Sequence, residues 1–145
     1  FPTADAVYIS QQLKSLYGSA FAVTMAPNGG NVGAYLPAAV QLHQAGCLDF
    51  YGQQFYDNAG ATNYSAVSGR LSEAINAGIP ASKLGVGMAL SSPVSGGAWS
   101  QANAKAALQQ ARAQFGIRKV YLWVEDSDLS SGAGATFVAN ALSVL

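Results

Sequence analysis

Strand and helix patterns alternate along the whole chain, and that alternation leaves few folds open. Short apolar runs bounded by turn residues read as strands at 19–25 (SAFAVTM), 48–58, 83–89 (KLGVGMA) and 119–125 (KVYLWVE). A helix opened by Thr3 precedes the first, with a stripe of Ile9, Leu13, Leu16 and Tyr17, and Gly18 ends it. A second helix is expected from about Tyr35, with Pro37 in its first turn, a face of Leu36, Val40 and His43, and a stop at Gly46. A third starts at Asn63 or Ser65, presents Val67, Leu71, Ala74 and Ile75, and closes at Gly78. Ser100 caps a fourth with Ala104, Leu108, Ala111 and Phe115 inward, and Gly116 ends it. Phe137, Val138, Ala141, Leu142 and Leu145 mark a fifth. The order αβαβαβαβα is that of an α/β chain with a parallel sheet covered by helices. No linker, low-complexity tract or repeat beyond this rhythm breaks residues 1–145, so they read as one unit, and 145 residues can bury a real core.

Four strands create a problem. An open four-stranded sheet leaves two bare edges, which invite pairing. The Gly, Asn, Ser and Asp clusters follow the C-terminal ends of the strands, which in parallel α/β folds is the ligand side. The two glycines of the third strand, Gly85 and Gly87, permit close approach of a backbone or a ligand.

Composition narrows the function classes. Half of the residues are hydrophobic and 10% are charged, against about 25% in an ordinary soluble domain. The surface therefore relies on Ser, Asn, Gln, Thr and Gly, a dress common in secreted microbial and fungal proteins, and a secreted location is the expectation. Net charge is zero and there is no basic stripe, so no nucleic-acid partner is expected. No apolar run is long enough for a membrane span and none reads as a signal peptide, so no membrane partner is expected. A start at Phe1 leads to the expectation that the chain is processed, trimmed or a piece of something longer. Cys47, the single cysteine, makes neither an intrachain disulfide nor a zinc site. It reads as a small buried hydrophobe, with an intermolecular disulfide as the sharper alternative.

The stretch 48–58 (LDFYGQQFYDN) carries the first sign of a site. Gln54 and Tyr56 are two apart and share a strand face, where a strand buried on both sides would be apolar. The choice is between a polar site at the strand end and an edge strand with one wet face. Other constellations are quickly weighed. Gly85-x-Gly87 opens no dinucleotide fingerprint, no phosphate-binding loop occurs, and no serine sits in a nucleophile elbow, so no cofactor is expected. His43, the single histidine, reads as a core or helix-surface residue. Asp5, Glu73 and Asp49 read as solvated charges. Asp57, Glu125, Asp126 and Asp128 all fall at C-terminal strand ends, where barrels keep their chemistry. Asp126 and Asp128 read as turn caps. Glu125 shares a strand face with Trp123 and Tyr121, a composition common in sugar sites, and stays open. Trp99, just before Ser100, reads as a staple for the helix start, and Trp123 is either core or site.

Taken together, residues 21–27 (FAVTMAP), the strand that runs from Leu48 into Gln54-Phe-Tyr-Asp-Asn58, the run Leu84-Gly-Val-Gly87, and Val120-Tyr-Leu-Trp123 resemble glycoside hydrolase family 18, in particular its hevamine-like single-domain chitinases. The resemblance spans essentially the whole chain and implies strands five to eight of a (β/α)8 barrel, a half-barrel of TIM-barrel type. It implies roles for named residues. Tyr56 matches the tyrosine that hydrogen-bonds the substrate N-acetyl group, a supporting catalytic role. Gln54 matches the glutamine on the same strand, Trp123 the tryptophan that floors the −1 sugar subsite, and Met25 and Ala26 the end of strand five lining the cleft. Asp57, Asn58 and Glu125 stand beside these as further candidate sugar contacts. The implied ligand is a chito-oligosaccharide or another N-acetylglucosamine glycan.

The sequence departs from the family in one large respect. Family 18 carries its acids on strand four, in the pattern Asp-x-x-Asp-x-Asp-x-Glu. That Glu protonates the leaving oxygen while the substrate's own acetamido carbonyl attacks the anomeric carbon, an exception to the two-carboxylate scheme. No such pattern occurs in these 145 residues, and loss of a general acid removes about 10²–10⁴ of rate. Three expectations follow: half of a chitinase or endo-β-N-acetylglucosaminidase whose other half lies elsewhere; a half-barrel that pairs with itself and binds sugar without cutting it; or a structural or inhibitory protein on the same scaffold.

Overall fold

The structure is a computed structural model describing residues 2–28, 32–56, 62–90, 98–123, 130 and 132–145. Its centre is a four-stranded parallel sheet in the order β1-β2-β3-β4, made of β1 (Thr24–Met25), β2 (Phe50–Gln54), β3 (Leu84–Met88) and β4 (Val120–Leu122). Spatial order equals chain order, which is the singly wound arrangement of a βα barrel and not the permuted order of a doubly wound sheet. The register aligns Met25 with Tyr51, Gln54 with Gly87, and Gly87 with Tyr121. Among the described residues five α-helices flank the strands: α1 (Thr3–Tyr17), α2 (Val32–Gln44), α3 (Tyr64–Asn76), α4 (Gln101–Phe115) and α5 (Ala133–Val144).

The core lies between one face of this sheet and the helices. β2 and β3 supply Tyr51, Leu84, Val86 and Met88, and the helices supply Leu42, Val67, Leu71 and Leu108, all essentially dry. Local signals explain why the middle helices are well placed. Asn63 accepts from Ala66 N at 2.9 Å and Ser100 from Asn103 N at 3.2 Å, which satisfies one orphan amide at each start. Gly116 ends α4 at φ 71°, a left-handed cap that a side chain would strain. Cys47 is a buried thiol 3.5 Å from Ala45 O, as its hydrophobe reading expects. His43 stands in the last turn of α2, at the opposite end of the sheet from the strand C-termini.

The outer elements depart from expectation. α1 is preceded by Pro2 with no side-chain cap, so Thr3 is its first helical residue and not its cap. β1 is two residues long, not the seven of 19–25. α2 begins three residues before Tyr35, so Pro37 lies inside it, and its driest residues are Ala39 and Leu42, one position round from the expected face. The expected stripe of α1 faces outward, with Leu16 73% exposed and Ile9 and Tyr17 also exposed. On α5, Phe137 and Ala141 are buried but Leu142 is 79% exposed and Val138 is open. These exposures share a cause: periodicity reports which face is apolar, and among the described residues no further βα unit lies beyond β1 or β4 to cover it. An apolar groove of about 740 Å³ runs between β4 and α5, lined by Val120, Leu122, Phe137, Val138, Leu142 and Leu145. A second, of about 350 Å³, lies over β1 between α1 and α2.

Asp49 is also more than a solvated charge. Its carboxylate accepts from Lys14 Nζ at 2.6 Å and from Val23 N at 2.8 Å, tying α1 to the approach of β1. These bonds, the lysine first, hold its pKa below the usual carboxylate value. A depressed carboxyl pKa contributes stability above the unfolded-chain value, and that contribution is lost as pH falls through the folded value. Asp49→Asn is therefore expected to cost about 1 kcal/mol or less at neutral pH, the pair being partly wet. Urea melts at neutral pH and at about pH 2 check this, since the same deficit at both would mean that the carboxylate's charge plays no part.

Candidate functional site

Strand alternation assigns the side chains. β2 sends Tyr51 and Gln53 towards the helices and Phe50, Gly52 and Gln54 to the uncovered face of the sheet, which Gly85, Gly87 and Tyr121 share across the register. Three glycines on that face leave room for two rings. A Cβ on Gly52 would come within 2.5 Å of Tyr121 Cε1 and 2.6 Å of Phe50 Cε1, and one on Gly85 or Gly87 would overlap the Phe50 or the Tyr121 ring. The two rings meet edge to face, 6.1 Å apart at 81°, and Lys119 Nζ sits 5.6 Å from the Phe50 centroid. The close approach that the β3 glycines allow is thus made by aromatic rings and not by a backbone.

At the C-terminal strand ends the candidate residues fall into two groups. In the first, Gln54 Nε2 donates to Ala26 O at 2.8 Å and Gln54 N to Pro27 O at 3.0 Å. Gln53, buried beside it, donates through Nε2 to Pro27 O at 3.2 Å. The two glutamines clamp the chain as it leaves β1. Met25 packs half-buried against the core, and exposed Ala26 contributes its carbonyl. Tyr51 donates to Gln53 Oε1 at 3.5 Å, and burial pushes its hydroxyl up to about 12.

The second group is aromatic. Tyr56 follows β2, 1% exposed, and its ring stacks on that of Trp123 with centroids 6.1 Å apart and planes at 13°. Trp123 follows β4, donates its amide to Met88 O at 2.9 Å, and leaves its indole 51% exposed. Tyr121, two residues earlier, donates its hydroxyl to Gly52 O at 2.9 Å. Burial raises the Tyr121 pKa, and the adjacent Tyr56 hydroxyl adds to the rise. Beneath them Trp99 is buried, with Nε1 donating to Phe55 O at 2.7 Å, which fixes the residue before Tyr56. This is a larger role than stapling the start of α4.

The sequence candidates are therefore brought together in pairs, Gln54 with Ala26 and Tyr56 with Trp123. Asp57, Asn58, Glu125, Asp126 and Asp128 lie outside the described residues. Among the described residues no three His, Cys, Asp or Glu side chains converge as a metal site. Gln53 and the bond made by Tyr121 escaped sequence reasoning. The available signal was strand parity, which puts Gln53 on the helix side with Tyr51 and Tyr121 on the glycine side. An exposed indole face with amide and carbonyl groups nearby suits the apolar face and polar rim of a ring-shaped polar ligand.

No protein-family model matches the sequence, and no curated protein matches it. Two solved structures match the fold. A chitinase catalytic domain of family 18 from the fern Peteris ryukyuensis is 20% identical with a TM-score of 0.73, and the match covers 98% of this chain and 50% of that one. A fungal endo-beta-N-acetylglucosaminidase of glycosyl hydrolase family 18 is 18% identical with a TM-score of 0.72, covering 97% of this chain and 51% of that one. This chain spans about half the length of each, its sheet ends in two open edges, and its fold is that of half a family 18 barrel.

Proposed function

We propose that this chain is the sugar-contacting half of a family 18-type barrel that binds or cleaves N-acetylglucosamine-containing glycans. The observation that carries the reading is the half-exposed Trp123 indole stacked on Tyr56 at the C-terminal ends of β4 and β2. Such a platform takes the apolar face of a pyranose, while Gln54, its Nε2 engaged with Ala26 O, keeps an amide oxygen for a sugar N–H or O–H. In this reading Tyr56 addresses the N-acetyl group. The two solved proteins of like fold are a chitinase and an endo-beta-N-acetylglucosaminidase, which supports a glycan of that class. Calorimetric titration with chitotetraose tests the reading, and absence of any binding heat overturns it.

Catalysis needs a partner unit in this reading. The sequence holds no Asp-x-x-Asp-x-Asp-x-Glu pattern, so a general acid comes from a complementary set of four strands. The two edge strands and their apolar grooves support that partner, because a second four-stranded unit closes eight strands and leaves no bare edge. The protein as isolated from its source is expected to show the mass of at least two half-barrels by size-exclusion with light scattering, in one polypeptide or two. A monodisperse species of 14.9 kDa, the mass of this chain alone, overturns the partner. Binding without turnover in the complete assembly favours the lectin-like form of the reading over the enzyme.

A further inference from the structure

We infer that Trp99 is a positioning residue for the site: its indole N–H, held on the Phe55 carbonyl, fixes where Tyr56 meets Trp123 and so sets the affinity of that platform for the glycan. The inference rests on the proposed sugar-binding reading and gives a part in recognition to a buried side chain that does not itself meet the sugar.

The C-terminal end of β3 offers three carbonyls in succession. Gly87 O accepts from Phe55 N at 2.9 Å, Met88 O from Trp123 N at 2.9 Å and Ala89 O from Trp99 N at 2.8 Å. β3 lies between β2 and β4, so the segments that carry the two platform rings hang from neighbouring residues of one strand. Trp123 hangs by its own amide. Tyr56 comes one residue after the point of attachment, and the direction in which the chain leaves Phe55 decides where its ring goes. Trp99 controls that direction. Its Nε1 donates to Phe55 O at 2.7 Å, and a peptide unit is planar, so holding this carbonyl also holds the N and Cα of Tyr56. The peptide planes on both sides of Phe55 are then fixed, one by Gly87 O and the other by the indole. The donor is itself immobile, because Trp99 is tied by its amide to Ala89 O and packed in the core. The bond is buried, so loss of the N–H deprives the Phe55 carbonyl of its indole donor, and the peptide gains by turning towards another. Such a turn carries the Tyr56 ring out of its 13° alignment with Trp123.

Trp99→Phe keeps a ring and removes the N–H. In the protein in its natural assembly, held well below its melting temperature and folded by far-ultraviolet circular dichroism, this variant is expected to bind chitotetraose at least about fivefold more weakly, on the scale of one hydrogen bond. Ile79→Ala supplies the comparison: it empties a fully buried site where the chain approaches the N-terminal end of β3, away from the platform, and is expected to leave the affinity unchanged. An unchanged affinity in Trp99→Phe, or an equal loss in both variants, overturns the proposal and leaves Trp99 a core residue alone. Coupling gives a second decision. In Trp123→Ala, where no platform remains, Trp99→Phe is expected to cost no further affinity, and losses that simply add overturn the positioning role. A spectrum gives a third, independent of sugar. The near-ultraviolet circular dichroism that Trp123 contributes is the difference made by Trp123→Phe, and this difference is expected to shrink when measured on the Trp99→Phe background and to persist on Ile79→Ala. A difference of full size on Trp99→Phe overturns the proposal. If the parent protein does not bind chitotetraose, the sugar reading fails, while the spectrum still decides whether Trp99 sets the stack.

Discussion

Trp99→Ala is expected to remove most of the folding stability of this chain. Burying a tryptophan and then truncating it to alanine costs about 3–5 kcal/mol, and the Phe55 carbonyl that Trp99 Nε1 holds at 2.7 Å would be orphaned for roughly a further 1–3 kcal/mol. Domains of this size have about 5–15 kcal/mol in total. The residue joins three elements: its amide donates to Ala89 O beyond β3, its indole reaches the end of β2, and Ser100 behind it caps α4. Denaturant melts compare the parent with Trp99→Ala and Trp99→Phe. The phenylalanine variant, which keeps a ring and loses the N–H, is expected to fall between the other two. A Trp99→Ala protein within about 1 kcal/mol of the parent would mean that the site end of the sheet is held by something else.

Trp123→Ala is expected to act in the opposite way, with a large loss of function and a small loss of stability. The side chain is half exposed, so truncation costs about 1 kcal/mol of folding free energy or less. Loss of the aromatic platform for a pyranose is expected to cost about 2 kcal/mol of binding, which is roughly a 30-fold rise in Kd for chitotetraose. Calorimetry on the folded variant checks it. Retained affinity would mean that the exposed indole is a surface without a sugar and would remove the observation on which the proposed function stands.

The parallel four-stranded sheet was legible in the sequence because each βα unit carries its own punctuation. The Asn63 and Ser100 caps and the Gly116 stop act within one turn of chain, so they read correctly without tertiary knowledge. The half-barrel assignment came from the resemblance of the strand segments to family 18, and the fold matches bear it out. The failures share a different character. Leu16 and Leu142 lie on apolar helix stripes yet stand exposed, because a heptad-like stripe looks the same whether or not a neighbour covers it. Asp49 looks solvated in the sequence because its partner, Lys14, lies 35 residues away and only the fold brings them together. Gln53 carries no signal of its own in the sequence although it is drier than Gln54, since a buried polar side chain is intelligible only once the Pro27 carbonyl it serves is in place. The Tyr56–Trp123 pair was legible as two residues at strand ends; that they stack was not, because 67 positions separate them.

The ring-and-gap arrangement on the uncovered sheet face also limits how this chain can change over time. Gly52, Gly85 and Gly87 are tolerable in strand interiors because Phe50 and Tyr121 fill the volume their side chains would have occupied. A methyl gained at Gly87 collides with Tyr121, while a ring lost at Tyr121 leaves a hole over two glycines. Each single step is therefore unfavourable, and the two together are closer to neutral. Drift at these positions is expected to proceed in compensated pairs drawn from different strands, so that the lineage of β2, β3 and β4 is locked together at one layer even where their sequences diverge elsewhere.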